Sequence, residues 1–198
     1  MEKVSLYIFD SRDKSFTDLK DFANLTKEEL EQFEEFRIEK VKKEKIISYY
    51  LKKTYVGDFY IGEHGKPLSK NTFFNISHSK EVIVLATSKN IPVGVDIEVI
   101  KERREPLVRY VANEEEYEYI QSDMDFIEVW TSKESLMKCS GLGLDMNMKV
   151  IPSFPFEGKK TYEGVNYFSK MVKKEDYVIC VTLQGEENFE IEVNTLSL

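Results

Sequence analysis

Short stretches of alternating apolar and polar residues are separated along this chain by longer stretches with helical spacing. Val4 to Phe9 reads as an opening strand. Thr26 with Glu29 three residues later forms a capping box, the sequence mark of a helix start. Leu30, Phe33, Phe36, Ile46, Ile47, Tyr50 and Leu51 then supply the apolar face of one long helix or two, ending before Gly57. Gly62-Glu63-His64-Gly65-Lys66-Pro67 is a turn by its glycine and proline content. Phe73 to Ser79 and the strand Val82 to Thr87 follow, and Asn90-Ile91-Pro92 turns the chain into Val93-Gly94-Val95-Asp96-Ile97-Glu98-Val99.

The second half repeats this plan loosely. Helices are expected over about Asn113 to Ile120 and Phe126 to Cys139, the latter stopped by Gly141 and Gly143. Strands are expected near Tyr162 to Met171 and Tyr177 to Leu183, and the tail after Gly185 reads as an edge strand or a partly mobile end. Lys80 to Thr87 resembles Lys174 to Thr182 with one insertion, a weak sign of internal duplication. The expected fold class is α+β, with two similar halves over residues 1–98 and 99–198 and the acidic strand near their junction.

That strand carries the first candidate chemistry. Val93, Val95, Ile97 and Val99 share one face, and Asp96 and Glu98 share the other. At roughly 3.3 Å of rise per residue, the two acidic Cα atoms lie about 6–7 Å apart, within reach of one hard cation. Along Trp130 to Lys138, the residues Trp130, Glu134 and Lys138 recur at i, i+4 and i+8 on one helical ridge, with Lys133 on its shoulder. Glu134 and Lys138 alone form an ordinary surface pair. Beside a strand with two more acids they complete the inventory for holding a metal ion against a phosphate ester.

With 198 residues, 41% of them hydrophobic, the chain can form one substantial domain or two small ones. No apolar run approaches the ~20 residues of a membrane span, and the first residues lack the charged-then-apolar order of a signal peptide. Cys139 and Cys180 have no metal-ligand spacing and are expected as buried thiols, which suits a cytoplasmic protein. The net charge of −8 argues against a general nucleic-acid binder. Lys40, Lys42, Lys43, Lys45, Lys52 and Lys53 crowd one stretch, either a solvated helix face or a seat for a small polyanion.

Taken together, Gly65-Lys66-Pro67, Phe74-Asn75-Ile76-Ser77-His78-Ser79, Val93-Gly94-Val95-Asp96-Ile97-Glu98 and Trp130-Thr131-Ser132-Lys133-Glu134-Ser135, with Lys138 and the ending Gly141-Leu142-Gly143-Leu144, resemble the 4′-phosphopantetheinyl transferases. The match is to the longer, pseudo-dimeric class typified by the surfactin-synthetase activator. It runs from about Leu25 to Leu144 and more loosely to Leu183. The resemblance implies two halves related by a pseudo-twofold axis in a monomer. It also implies transfer of 4′-phosphopantetheine from coenzyme A to a serine of an acyl or peptidyl carrier protein, with release of 3′,5′-ADP.

By the same resemblance, Asp96, Glu98 and Glu134 are the Mg²⁺ ligands, an all-oxygen set that suits this ion. Glu134, or a water it holds, is the candidate base, and Lys138 meets the pyrophosphate, with Lys133 assisting. Ser77 and His78 contact coenzyme A phosphates, and Lys66 is a candidate contact for the 3′-phosphate. Trp130 is assigned to core packing. In the early helix Lys43 is the phosphate-contact candidate, with Arg37 as a second, and Glu44 would oppose a phosphate there. Lys80 stands where the family usually has glycine. Carrier docking is expected at a local apolar or basic surface, with no nucleic acid or membrane partner. A different metal-dependent phosphoryl transferase, and a degenerate binding module for coenzyme A or a carrier, are the competing readings.

Overall fold

The computed structural model describes residues 1–62, 65–141, 147–185 and 187–198. The chain is α+β. It opens with strand β1 (Glu2–Asp10) and three helices, α1 (Phe16–Ala23), α2 (Lys27–Glu34) and α3 (Glu39–Tyr55). A two-residue pair, β2 (Tyr60–Ile61) with β3 (Pro67–Leu68), leads to the hairpin β4 (Phe73–Ser79) and β5 (Val82–Ser88). The order then recurs: strand β6 (Val93–Val99), helices α4 (Glu105–Val111), α5 (Glu114–Tyr119) and α6 (Asp123–Ser140), and strands β7 (Gly158–Tyr162), β8 (Val165–Lys173) and β9 (Tyr177–Gln184). Strand β10 (Phe189–Leu196) closes the chain.

Two four-stranded sheets result, ordered β10-β1-β5-β4 and β6-β9-β8-β7. The subset β1-β5-β4 is antiparallel throughout, as is β6-β9-β8, so β5 and β9 hold the same place. These are the two strands whose sequences resemble each other. The expected tail strand exists: β10 lies parallel to β1 at the edge of the first sheet.

Alternation sorts the apolar residues into three cores. Val4, Leu6 and Ile8 of β1, with Val82, Val84 and Ala86 of β5, meet Val93, Val95, Ile97 and Val99 of β6 and Ile179, Val181 and Leu183 of β9 between the sheets. The intervening Phe9, Ile83 and Leu85 face Leu19, Phe33, Ile46, Ile47 and Leu51 of the first helices. Val178 and Cys180 face Val108, Phe126, Val129 and Leu136 on the far side. The layers run helix, sheet, sheet, helix. Both cysteines are buried free thiols. Among the described residues no helix is long and apolar enough to cross a membrane.

Local chemistry accounts for the boundaries. Thr26 caps α2 in the expected box with Glu29, and the early apolar face divides into two helices, α2 and α3. Gly141 ends α6 in the left-handed region at φ 75°. Gly143, Leu142, Leu144, Glu63 and His64 lie outside the described residues. Two helices were not expected. α1 begins at a box of Ser15 with Asp18, and α4 carries a proline in its first turn. The strand expected over Tyr162 to Met171 is a hairpin, because Glu163 (φ 50°) and Gly164 (φ 77°) both take positive φ and turn β7 into β8.

One glycine fixes where α6 lies. A Cβ on Gly94 would stand 2.1 Å from the Ser135 carbonyl oxygen and 2.4 Å from the Cys139 nitrogen. The helix backbone therefore rests directly on β6, and no larger residue fits between them. Gly94→Ala is expected to lower stability by about 3 kcal/mol or more, since neither contacting atom belongs to a flexible side chain. Urea unfolding measures it, and an unchanged midpoint would mean that α6 can lift off the strand freely.

Candidate active site

Strands β4 and β6 are edge strands of different sheets, and side chains join them. Every second residue of β4 reaches across. Asn75 Oδ1 accepts the Val95 N–H at 2.9 Å, and Ser79 Oγ accepts the Val99 N–H at 3.2 Å. Between and beside them, Ser77 Oγ donates to Asp96 Oδ1 at 2.8 Å, and Ser79 Oγ donates to Glu98 Oε2 at 2.7 Å. The short hydroxyls thus fix both acids from behind. The period-two run Asn75, Ser77, Ser79 is visible in the sequence as polar alternation, and of the three the family resemblance marks only Ser77.

Helix α6 crosses this seam and brings its own ridge to it. Trp130, Glu134 and Lys138, as their spacing required, line one cleft of about 720 Å³ with Met137 and Gly141. Lys66, Asn75, Ile76, Ser77, His78, Asp96 and Glu98 line its other walls. Trp130, assigned to packing, is half-buried against Phe126 and also forms cleft wall.

The electrostatics are those of crowded acids. Burial, then the charges of Asp96 and Glu98, push the Glu134 carboxyl up to about 6 against the opposing pull of Lys138. Burial likewise pushes Asp96 upward, although Lys138 and Ser77 favour its anion. Lys138 Nζ lies 2.6 Å from Asp96 Oδ1 and donates to Ser77 Oγ at 3.0 Å. Lys101 donates to Glu98 at 3.2 Å. Lys66 donates to the Lys138 carbonyl at 2.8 Å, where its charge complements the C-terminal end of α6. Its burial holds its pKa down.

Two expected contacts lie elsewhere. Lys133 is wholly buried on the other side of α6, where its ammonium pairs with Glu116 at 2.6 Å and donates to the Val111 and Met148 carbonyls. One residue of rotation carries it off the cleft ridge into the core, because α6 is covered on nearly every side. Lys43, also buried, is paired at 2.5 Å with Glu81 in the β4–β5 turn and does not line the cleft. Arg37 borders a separate depression with Ser15, Phe16 and Lys42. Glu44 lies 3.6 Å from His78 Nδ1, so a carboxylate does face that part of the site.

The donor chemistry fits a hard divalent cation. All three acids are oxygen ligands, the charge of Glu98 raises the proton affinity of both Asp96 and Glu134, and Asp96 Oδ2 is buried with no hydrogen-bond partner. Among the described residues, however, no three histidine, cysteine or acidic side chains stand already gathered around one point. An ammonium sits against Asp96 instead.

The model of the 4′-phosphopantetheinyl transferase superfamily matches residues 92–187. The chain is 39% identical over 135 residues to the 4′-phosphopantetheinyl transferase gsp of Aneurinibacillus migulanus, covering 65% of this chain and 52% of that protein. It is 30% identical over 154 residues to 4′-phosphopantetheinyl transferase Sfp of Bacillus subtilis strain 168, covering 62% of this chain and 68% of that one. A further Bacillus subtilis 4′-phosphopantetheinyl transferase is 33% identical over 97 residues, 44% of this chain and 43% of the relative. The chain belongs to the 4′-phosphopantetheinyl transferase superfamily. It spans about half the length of the first and third of these relatives.

Glu134 binds its proton more tightly in the fold than in the unfolded chain. The metal-free protein should therefore lose stability as pH rises from about 4.5 through about 6, by about 2 kcal/mol from this group. Asp96 acts in the same direction, so the difference between wild type and Glu134→Gln, measured by denaturant titration in EDTA, isolates Glu134. Parallel pH profiles would rule out the raised carboxyl. Lys133→Met should cost about 3–5 kcal/mol, because it strands the Glu116 charge, and Glu116→Gln added to it should recover part of the loss.

Proposed function

We infer that this chain transfers 4′-phosphopantetheine from coenzyme A to a serine hydroxyl of an acyl or peptidyl carrier protein, releasing 3′,5′-ADP. The observation that carries this reading is the convergence of Lys66, Ser77, His78, Asp96, Glu98, Glu134 and Lys138, from four separate segments, on one cleft. Family membership supports it, and the relatives are named 4′-phosphopantetheinyl transferases.

Asp96, Glu98 and Glu134 would hold Mg²⁺, which supplies neutralisation of the pyrophosphate charge and aligns it for in-line attack. The remaining work falls to the chain. The incoming serine oxygen forms its bond to phosphorus as the bond to the 3′,5′-ADP oxygen breaks. The serine proton passes to a Glu134 carboxylate oxygen, or to a water which that carboxylate orients. Lys138 faces the charge that grows on the departing phosphate. Ser77 holds Asp96 in place, and His78 and Lys66 border the cleft where the nucleotide phosphates would lie. Lys133 belongs to the scaffold of α6.

We further propose a cytoplasmic monomer built from two halves related by a pseudo-twofold axis, each with its own helix layer and sheet. The repeated strand order supports the two related halves. Strand pairing favours counting β6 with the second half, which moves the division from 98/99 to the turn at residues 89–92. The cleft then lies where β4 of one half meets β6 and α6 of the other.

Incubation of a purified apo carrier protein with this chain, coenzyme A and Mg²⁺ should give a mass gain of one phosphopantetheine. EDTA should abolish it, and Glu134→Ala should slow it roughly 10²–10³-fold. Coenzyme A binding without any gain across several carriers would instead favour the degenerate binding module. A product formed only from other phosphate esters would favour a different phosphoryl transferase.

A further inference from the structure

The ammonium of Lys138 stands where a cation ligand of Asp96 would stand. It is 2.6 Å from Asp96 Oδ1, and Ser77 Oγ, to which it also donates, bonds the same oxygen at 2.8 Å. The other Asp96 oxygen, Oδ2, is buried and has no hydrogen-bond partner. Glu98 and Glu134 act on Asp96 or on each other electrostatically from the same cleft, so Lys138 balances more than one acid. Lys101, the second ammonium at this acid set, is bound to Glu98 and largely solvated. Lys66 is tied to a helix carbonyl and balances none of the three.

Lys138 is also the cation with somewhere to go. Its side chain is 29% exposed on the cleft wall, on a flexible four-carbon stem held by hydrogen bonds to two atoms. A divalent ion taken up by Asp96 would place two positive charges against an ammonium already touching that carboxylate. Like charges that close repel strongly in a partly buried site. Resting on the phosphopantetheine-transfer reading, we propose that Lys138 is an exchangeable counter-ion: it neutralises Asp96 in the metal-free protein and is displaced into the cleft when the cation binds. Once displaced, it faces the phosphate that accompanies the cation. Lys138 therefore competes with the metal when the metal comes alone and cooperates with it when an anion is present. By linkage, the anion then tightens cation binding as much as the cation tightens anion binding.

The test uses Mn²⁺ alone as the probe, with the full chain and no nucleotide, and follows the free-ion signal by electron paramagnetic resonance. Lys138→Gln should bind Mn²⁺ on the order of tenfold tighter than wild type, because the resident charge is gone. Lys138→Arg, which keeps the charge, should stay close to wild type. Equal or weaker binding by Lys138→Gln, or no binding by either protein, overturns the proposal. Inorganic pyrophosphate should tighten Mn²⁺ binding in wild type more than in Lys138→Gln.

The native sequence gives a second readout. With lysines reductively methylated using ¹³C-formaldehyde, the Lys138 resonance should move towards those of exposed lysines on adding Mg²⁺, and a fixed resonance overturns the exchange. Carrier modification is scored separately. Equal Mn²⁺ affinities in an active transferase would sink the exchange and leave the transfer reading standing. A tenfold difference in a chain that modifies no carrier would do the reverse.

Discussion

The side-chain seam between β4 and β6 is the constraint on which the rest of the structure depends. Two sheets meet there at edge strands that share no backbone ladder, so β6 has amide groups to satisfy on that side. Asn75 and Ser79 satisfy two of them, at Val95 and Val99. A buried amide left unpaired would cost about 1–3 kcal/mol, so these short polar side chains add to the hold that the apolar core behind them supplies. Because they are short, the strands lie close. Because they alternate, the same face of β4 that binds β6 backbone also reaches its two acids.

Helix α6 completes what the seam begins. Gly94 lets its backbone lie on β6, and Ser135 anchors it by a hydroxyl contact of 2.8 Å to Thr182 on β9. On its far side the buried pair of Lys133 and Glu116 links α6 to the start of α5, whose cap Asn113 also bonds Glu116. The helix is clamped from both sides, and its Trp130–Glu134–Lys138 ridge, with Met137, opens to the cleft. Rigid placement of that kind lets three carboxylates be held near one another against their repulsion.

Most of the long strands, the two long helices and the N-terminal cap of α2 were legible because each rests on a local rule. The apolar alternation of β5, β6 and β9 and the Thr26–Glu29 box need no distant partner to be read. The acids and Lys138 were legible for the same reason, since a period of two or four sets their direction. What stayed hidden depended on neighbours far along the chain. Whether Lys133 faces cleft or core is decided by Glu116, on α5, and by the short 3-10 helix that begins at Met148. Lys43 is claimed by Glu81 of the β4–β5 turn, 38 positions on in a chain of 198, and no pattern around Lys43 signals this. Helices α1 and α4 were missed, although Ser15 with Asp18 was a readable cap and a proline marks the first turn of α4. The turn at Glu163-Gly164 shows the converse, a local signal passed over because the flanking residues alternate so evenly.

The placement of the acids also explains why the rest of the chain is so thoroughly packed. Burial raises the proton affinity of Asp96 and Glu134, so their ionised forms oppose folding until something positive arrives. In the metal-free chain Lys138, reinforced by Ser77, supplies part of that charge. A ligand that binds only the folded state then adds stability that grows with its concentration above its dissociation constant, at the place where these charges crowd. Until then, stability must come from elsewhere. The three apolar cores supply it, with the aromatic contacts of Phe9, Phe22 and Tyr50 under the first sheet and of Tyr119, Phe154 and Phe156 beside α6. The cleft can therefore remain electrostatically strained, and strain of that sign is what a cation and a phosphate binding together would relieve.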